Sequence, residues 1–244
     1  LGLDVQSITH TTDDGYILQV FRCRKAEALI DSNKAILVVH ALMQSSDSYL
    51  LHVHNMDESL VYTLANQGYT VYLANCRGNE YGQAHISLDV NSMDFWESMH
   101  LDDLVLDVKN TIERIYEDNQ NNKVHVIGFS QGAYLLAAAL SQDDVLQEKV
   151  KTVTLLAPAL QPRELQKSIL STLIHRFPSS VPFFFGDGKK SALSCVYHWQ
   201  RILHIKTFVV LTSFCMKFLF GWNLHNISKE RKEVLFNHIW SAAG

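Results

Sequence analysis

The sequence predicts an α/β fold with a mostly parallel sheet, an N-terminal antiparallel hairpin and a helical cap, and three observations predict it. Short continuous apolar runs, the mark of strands buried on both faces, alternate with helical segments from residue 35 to residue 157. Ahead of them lie two strictly alternating segments joined by a turn signal. After Pro158 the rhythm changes, and the apolar residues recur at helical rather than strand spacing.

Val5–His10 alternates, runs into Thr12-Asp13-Asp14-Gly15, and alternates again over Tyr16–Cys23, which predicts the hairpin. Ala35–His40 is the first buried strand. Met56–Gln67 sets Leu60, Val61 and Leu64 on one stripe and stops at Gly68, a helix ending. Tyr69–Ala74 is the next strand. Leu101, Leu104, Val105, Val108, Ile112 and Ile115 predict an amphipathic helix over Leu101–Tyr116. Lys123–Ile127 is a strand, Ala133–Leu140 a helix apolar on every side, and Thr152–Ala157 a strand closed by Pro158. Leu165–Ile174 and Trp199–Trp222 read as helical, with a loop over Pro178–Gly188 between them. The expected division is a core over residues 1–158 and a helical cap over 159–240.

With 244 residues, 47% apolar and 19% charged, the chain has enough material for one sizeable core and is no candidate for disorder. Its net charge of −4 comes without any Lys/Arg cluster, so it lacks the footprint of a nucleic-acid binder. The twelve histidines are scattered and form no HExxH pair, and no metal site is expected. Cys23, Cys76, Cys195 and Cys215 contain no CxxC pair. Free buried thiols are the preferred reading, disulfides staying open. The first residue is Leu1, and a leader or anchor upstream of it stays open too. Thr207–Trp222 approaches the length of a short membrane span, yet Lys217 interrupts it and spans need ~20 apolar residues. A cap or core helix is the expectation there, with contact to a lipid interface as the sharper alternative.

Gly128-Phe129-Ser130-Gln131-Gly132 fits the G-x-S-x-G elbow, in which a sharp turn between strand and helix lifts a nucleophilic serine above a sheet edge. Here a strand precedes it and an apolar helix follows. Gly128 and Gly132 give neighbouring backbone room to approach. Ser130 is the expected nucleophile. Two backbone N–H groups are expected to hold the tetrahedral oxyanion, from Gln131 and from Leu42 in the loop after strand Ala35–His40. His40 precedes the nucleophile, against the order serine, acid, histidine, so a structural role is expected for it.

Several segments together resemble the acid lipases, the α/β-hydrolase family of lysosomal and gastric lipases and fungal steryl ester hydrolases. Thr12-Asp13-Asp14-Gly15-Tyr16-Ile17-Leu18 is similar to its TEDGY-I/V-L hairpin. His40-Ala41-Leu42-Met43-Gln44-Ser45-Ser46-Asp47 is similar to its HGL-x-x-SS-D loop, and Asn75-Cys76-Arg77-Gly78-Asn79-Glu80-Tyr81 to its N-x-RGN-x-Y/W segment. Asp94-Phe95-Trp96-Glu97, the elbow, and Leu156-Ala157-Pro158-Ala159 continue the match in order. The resemblance implies an α/β-hydrolase fold, hydrolysis of neutral lipid esters (steryl esters or triacylglycerols) without cofactor, and a cap that contacts lipid. It makes Arg77 and Asn79 holders of the loop beside the site. The family's compartments are lysosomal or secreted, or lipid-droplet and membrane-associated. One departure bears on chemistry: Ala41 stands where the family has Gly, at a cost of about 1 kcal/mol if that position needs a positive φ. Lys109 replaces a proline common in relatives.

In this fold the acid and the base follow later strands, and the resemblance implies a chain cut short of them, at Ser241-Ala242-Ala243-Gly244. After Ser130 the acids with any claim are Asp143, Asp144 and Asp187, and the histidines are His175, His198, His204, His225 and His238. None stands where the triad requires. The triad Asp and His are therefore expected to be missing here, and the isolated chain to be inactive or poorly soluble. The alternatives are a silent lipid-binding relative, or an acyltransferase on the same scaffold.

Overall fold

The computed structural model describes residues 2–26, 31–52, 59–160, 169–177 and 194–239. Strands β1 (Leu3–Thr11) and β2 (Tyr16–Lys25) form the predicted hairpin, with Leu3 opposite Lys25 and Thr11 opposite Ile17. Its turn closes through the Thr12 N–H on Tyr16 O at 2.8 Å. Gly15 takes φ 98°, a conformation that L side chains rarely adopt.

The parallel part of the sheet follows. β3 (Ala35–Val39) and β4 (Thr70–Leu73) are buried along their whole length, as continuous apolar runs require. β6 (Val124–Phe129) and β7 (Val150–Leu156) complete the order β1-β2-β4-β3-β6-β7, and a short β5 (Ala84–His85) pairs with β2. β3 is flanked by β4 on one side and β6 on the other, both parallel to it. The chain thus reverses its winding direction beside β3, and the crevice at such a reversal, above the carboxyl ends of the strands, is where this architecture places ligands.

Helices cover both faces. Ala35, Leu37 and Val39 pack with Val108, Ile112 and Ile115 of α3 (Leu101–Asp118) and Leu135 and Leu136 of α4 (Gln131–Gln142). The alternate residues Ile36 and Val38 pack on the other face with Val61 of α1 (Leu60–Asn66). α2 (Met93–Glu97) buries Phe95 against Tyr16 and Leu18. α5 (Asp144–Glu148) links α4 to β7. β7 is the sheet edge among the described residues, and most of it is exposed, Val153 at 45% and Leu156 at 42%.

Among the described residues, four helices follow β7: α6 (Ile169–Arg176), α7 (Ser194–Ile202), α8 (Ile205–Phe220) and α9 (Lys229–Ile239). Phe208, Val209 and Met216 of α8 and Phe236 of α9 form a separate small core, against which Met43 packs. The opposite face of α8 is exposed and apolar: Val210, Leu211, Phe214 and Phe218, the last two rings stacked at 5.9 Å. Among the described residues no helix is long and apolar enough to cross a membrane.

Element bounds differ from expectation in a few places. β3 ends at Val39 because His40 already turns into the loop. The Trp199–Trp222 run is two helices, broken where His204 caps α8 by accepting from the Lys206 N–H at 3.3 Å. α6 starts at Ile169, and the first part of the Leu165–Ile174 expectation, the Pro178–Gly188 loop and Asp187 lie outside the described residues. β5 and α5 had no expectation; two and five residues long, they carry too little periodicity to announce themselves. Cys23, Cys76 and Cys215 are free thiols.

Candidate active site

Ser130 sits between β6 and α4 at φ 53° and ψ −109°. An L residue pays about 1–3 kcal/mol for such backbone, so the surroundings must hold it there. They do so through main-chain bonds: the Ser130 N–H donates to Leu156 O at 2.9 Å, and its carbonyl accepts from Tyr134 N at 3.2 Å and Ala159 N at 3.3 Å. The flanking glycines are dictated by space. A Cβ on Gly128 would lie 2.5 Å from Gly132 O, and one on Gly132 would lie 2.4 Å from Val39 O. Strand, elbow and helix are in backbone contact there, with no room for a methyl group. The Ser130 side chain is partly exposed, and no described residue hydrogen-bonds to its hydroxyl.

The loop after β3 approaches this turn from the neighbouring strand. Its positive φ falls at Met43, at 59°, and Ala41 is absent from that conformation. Ala41 is buried instead, and its carbonyl accepts from Gln44 N at 3.2 Å to close the turn. The alanine therefore carries no left-handed strain. The backbone N–H groups of Leu42 and Gln131 have no partner among the described residues, which leaves both free to donate to a bound oxygen.

Three buried polar side chains hold that loop. His40 has both ring nitrogens engaged: Nδ1 donates to Ala41 O at 2.8 Å, while Nε2 accepts from Cys76 N at 3.1 Å and Asn79 Nδ2 at 3.3 Å. Burial lowers its pKa, so it stays neutral in this tautomer and has no nitrogen to spare for a serine proton. Asn75 ties the loop to the strand beside it, with Oδ1 accepting from Ser46 N at 2.9 Å and from Asn79 Nδ2 at 3.0 Å. Its Nδ2 donates to Gln19 O at 3.0 Å. Asn75 had no role in the sequence reading. The available signal is an amide just past a mostly apolar strand, where a buried polar group needs several partners.

Arg77, two residues after Asn75, has its side chain fully buried. Nε and Nη2 donate to Asp107 Oδ1 at 2.9 and 2.6 Å, and its own N–H donates to Asp107 Oδ2 at 2.8 Å. Nη1 and Nη2 reach Asp14 at 2.6 and 3.0 Å, and the guanidinium lies 4.0 Å from the Tyr16 ring centroid. Burial opposes the charge, but the hydrogen bonds and charges of Asp107 and Asp14 outweigh it and raise the Arg77 pKa further. Arg77 thus joins the hairpin turn, α3 and the segment after β4.

The remaining acids and histidines are placed elsewhere. Asp143 caps α5 through Leu146 N and pairs with Lys109 at 2.8 Å. A helix of twelve residues, ~18 Å long, separates it from Ser130. Asp144 begins α5. His175, His204 and His225 are exposed, and none hydrogen-bonds to Ser130; the side chains of His198 and His238 lie outside the description.

A strained serine between a parallel strand and a helix whose first turn rests on the neighbouring strand end defines a class of protein. Residues 34–189 match the family model of the α/β hydrolase fold, and the chain belongs to that family. Residues 1–53 match a second model, a partial α/β-hydrolase lipase region. Similar chains include a probable lipase of Schizosaccharomyces pombe, 34% identical over 98% of this chain and 52% of its own length. Human lipase member K is 29% identical, and rat gastric triacylglycerol lipase 28%, each over 97% of this chain and 60% of the relative. The resemblance to the gastric lipase group is borne out by the lipase-region match and these relatives. The chain spans 52–60% of their lengths. Among solved structures, an epoxide hydrolase shares the fold, with a TM-score of 0.53 at 14% identity over 98% of this chain and 71% of that one.

Proposed function

We propose that this chain supplies the nucleophile and oxyanion hole of a carboxylic ester hydrolase acting on neutral lipids, triacylglycerols or steryl esters. The observation that carries the reading is the elbow: Ser130 at φ 53° with a hydroxyl that no described residue bonds, where Gly128 and Gly132 leave no space for a side chain. Ser130 Oγ attacks the ester carbonyl as an imidazole takes its proton. The N–H groups of Leu42 and Gln131 hold the oxyanion, each worth about 3 kcal/mol at the transition state. The alcohol leaves with the proton, and water then cleaves the acyl-serine to a carboxylic acid. No described histidine reaches Ser130, so the reading calls for an imidazole and its carboxylate from outside the described residues. The helices after β7 act as the cap, and the apolar face of α8 gives it a surface for lipid.

Fluorophosphonate labelling of the longest natural form of the protein, where a base can reach the serine, compared with Ser130→Ala, tests the reading. Labelling confined to the wild type is expected, and labelling that persists in Ser130→Ala overturns it. A second reading, a catalytically silent lipid-binding relative, is favoured by one observation: no described histidine reaches Ser130. Complete resistance of Ser130 to the reagent in that form supports that second reading.

A further inference from the structure

A second cleft lies away from the elbow, between the 3-10 turn Ser46–Tyr49 and α9. Its volume is about 320 Å³. One water takes ~30 Å³, so a single ordered water cannot fill it, and it falls at the small end of ligand pockets. Ser48 and His52 line it, and their Oγ and Nδ1 atoms are buried without any hydrogen-bond partner. Folding takes such groups out of water only at a cost, and two of them on neighbouring lining residues mark a place where a partner is missing. Arg231 stands at the rim. Its guanidinium has no ion pair among the described residues, and its recorded bond is through its backbone N–H to Ser228 Oγ. Asp47, the carboxylate next to Ser48, accepts from Tyr81 Oη at 3.0 Å and is thereby engaged elsewhere. The remaining wall is apolar: Leu51, Ile227, Val234 and Leu235.

The geometry points to a binding site for an amphiphilic monocarboxylate, a fatty acid of short to medium chain. A carboxylate accepts from several donors and donates none, which suits a cleft whose polar lining is a guanidinium, a hydroxyl and an imidazole. The four aliphatic side chains take the tail. An alcohol or amine head would leave the guanidinium unanswered or repel it. The site deepens the lipid reading, because a free fatty acid is also what ester hydrolysis releases, yet binding here needs no chemistry at Ser130. Position gives it a consequence: the turn carrying Ser48 follows directly on the His40–Ser45 loop. An occupant joins that turn to α9, whose Phe236 already packs in the cluster that Met43 touches.

Calorimetric titration of the chain with sodium octanoate, kept below its micelle concentration, tests the site. Saturable binding is expected, weakened at least tenfold in Arg231→Gln and in His52→Leu and unchanged in Ser130→Ala. Arg231 is exposed, so Arg231→Gln keeps the fold even where His52→Leu does not. Absence of saturable heat, meaning that water alone occupies the cleft, overturns the proposal. So does equal binding of octanol, which shows an apolar groove only, or of sodium sulfate, which shows an adventitious ion only. Loss of octanoate binding in Ser130→Ala moves the ligand to the elbow and also overturns it. Failure of fluorophosphonate labelling with octanoate binding intact would instead fault the hydrolase reading alone.

Discussion

Gly132 is pressed against the end of β3, so that a methyl group on its Cα would stand 2.4 Å from the carbonyl oxygen of Val39 and 2.5 Å from that of His40. The first turn of α4 therefore rests on the strand whose following loop offers the Leu42 N–H. One backbone contact sets the spacing between the two halves of the proposed oxyanion site. Both obstructing atoms are main chain and cannot swing aside.

Gly132→Ala is accordingly expected to destabilise the fold by about 1–3 kcal/mol, the usual cost of overpacking, and to slow fluorophosphonate labelling by moving Gln131 away from Leu42. Urea unfolding and labelling rates check both. An unchanged midpoint would mean that α4 can slide off β3.

The elbow strain predicts an ordering of two substitutions at one position. Ser130→Gly releases the positive φ, whereas Ser130→Ala keeps it. Ser130→Gly is expected to be the more stable by about 1 kcal/mol, read as a higher unfolding midpoint. Equal midpoints would show that the turn relaxes without its serine.

Arg77 and Asp107 form a buried pair, with side chains 0% and 1% exposed. Removing only the cation leaves a carboxylate buried without its partner. Arg77→Met is expected to cost about 3–5 kcal/mol, and a second substitution, Asp107→Leu, to recover part of that. A loss below about 1 kcal/mol in the single variant would place the pair outside the folding unit, since surface pairs are worth that little.

His10 predicts an acid limb in stability. Burial, with the Arg114 charge behind it, lowers its pKa from 6.5 to about 4. The Thr111 hydroxyl donates to Asp107 O at 2.7 Å, so His10 Nε2 is the donor in its 3.1 Å bond to Thr111. Between pH 4 and 6.5 the unfolded chain binds the proton and the folded chain does not, so stability rises with pH across that window. As pH falls from 6.5 to 4, about 3 kcal/mol is expected to be lost, and buried His40, lowered as well, adds to the slope. Chemical unfolding at stepped pH should show a flatter limb for His10→Gln; an identical limb would acquit His10.

Much of the fold was legible because it rests on local signals. All-apolar strands such as Ala35–Val39 and the stripe of α3 from Leu101 to Ile115 declare their period directly. The elbow was legible because small residues at 128 and 132 around a serine have few other uses between strand and helix. The frame of the site was harder to read. Asn75 ties down the loop while Asp14 and Asp107 hold Arg77, and no spacing rule links residues 14, 77 and 107.

The order of residues by itself determined which segments become strand or helix and which serine stands on the turn, because apolar period and glycine placement act within a few residues. Only the tertiary structure decided that Ala41 escapes the left-handed strain that Met43 takes on. It also decided that His40 has both nitrogens occupied, and that Ser48, His52 and Arg231 meet across one cleft. Those outcomes depend on which backbone atoms arrive from strands and helices far apart in the chain, and packing rather than local preference sets that arrival.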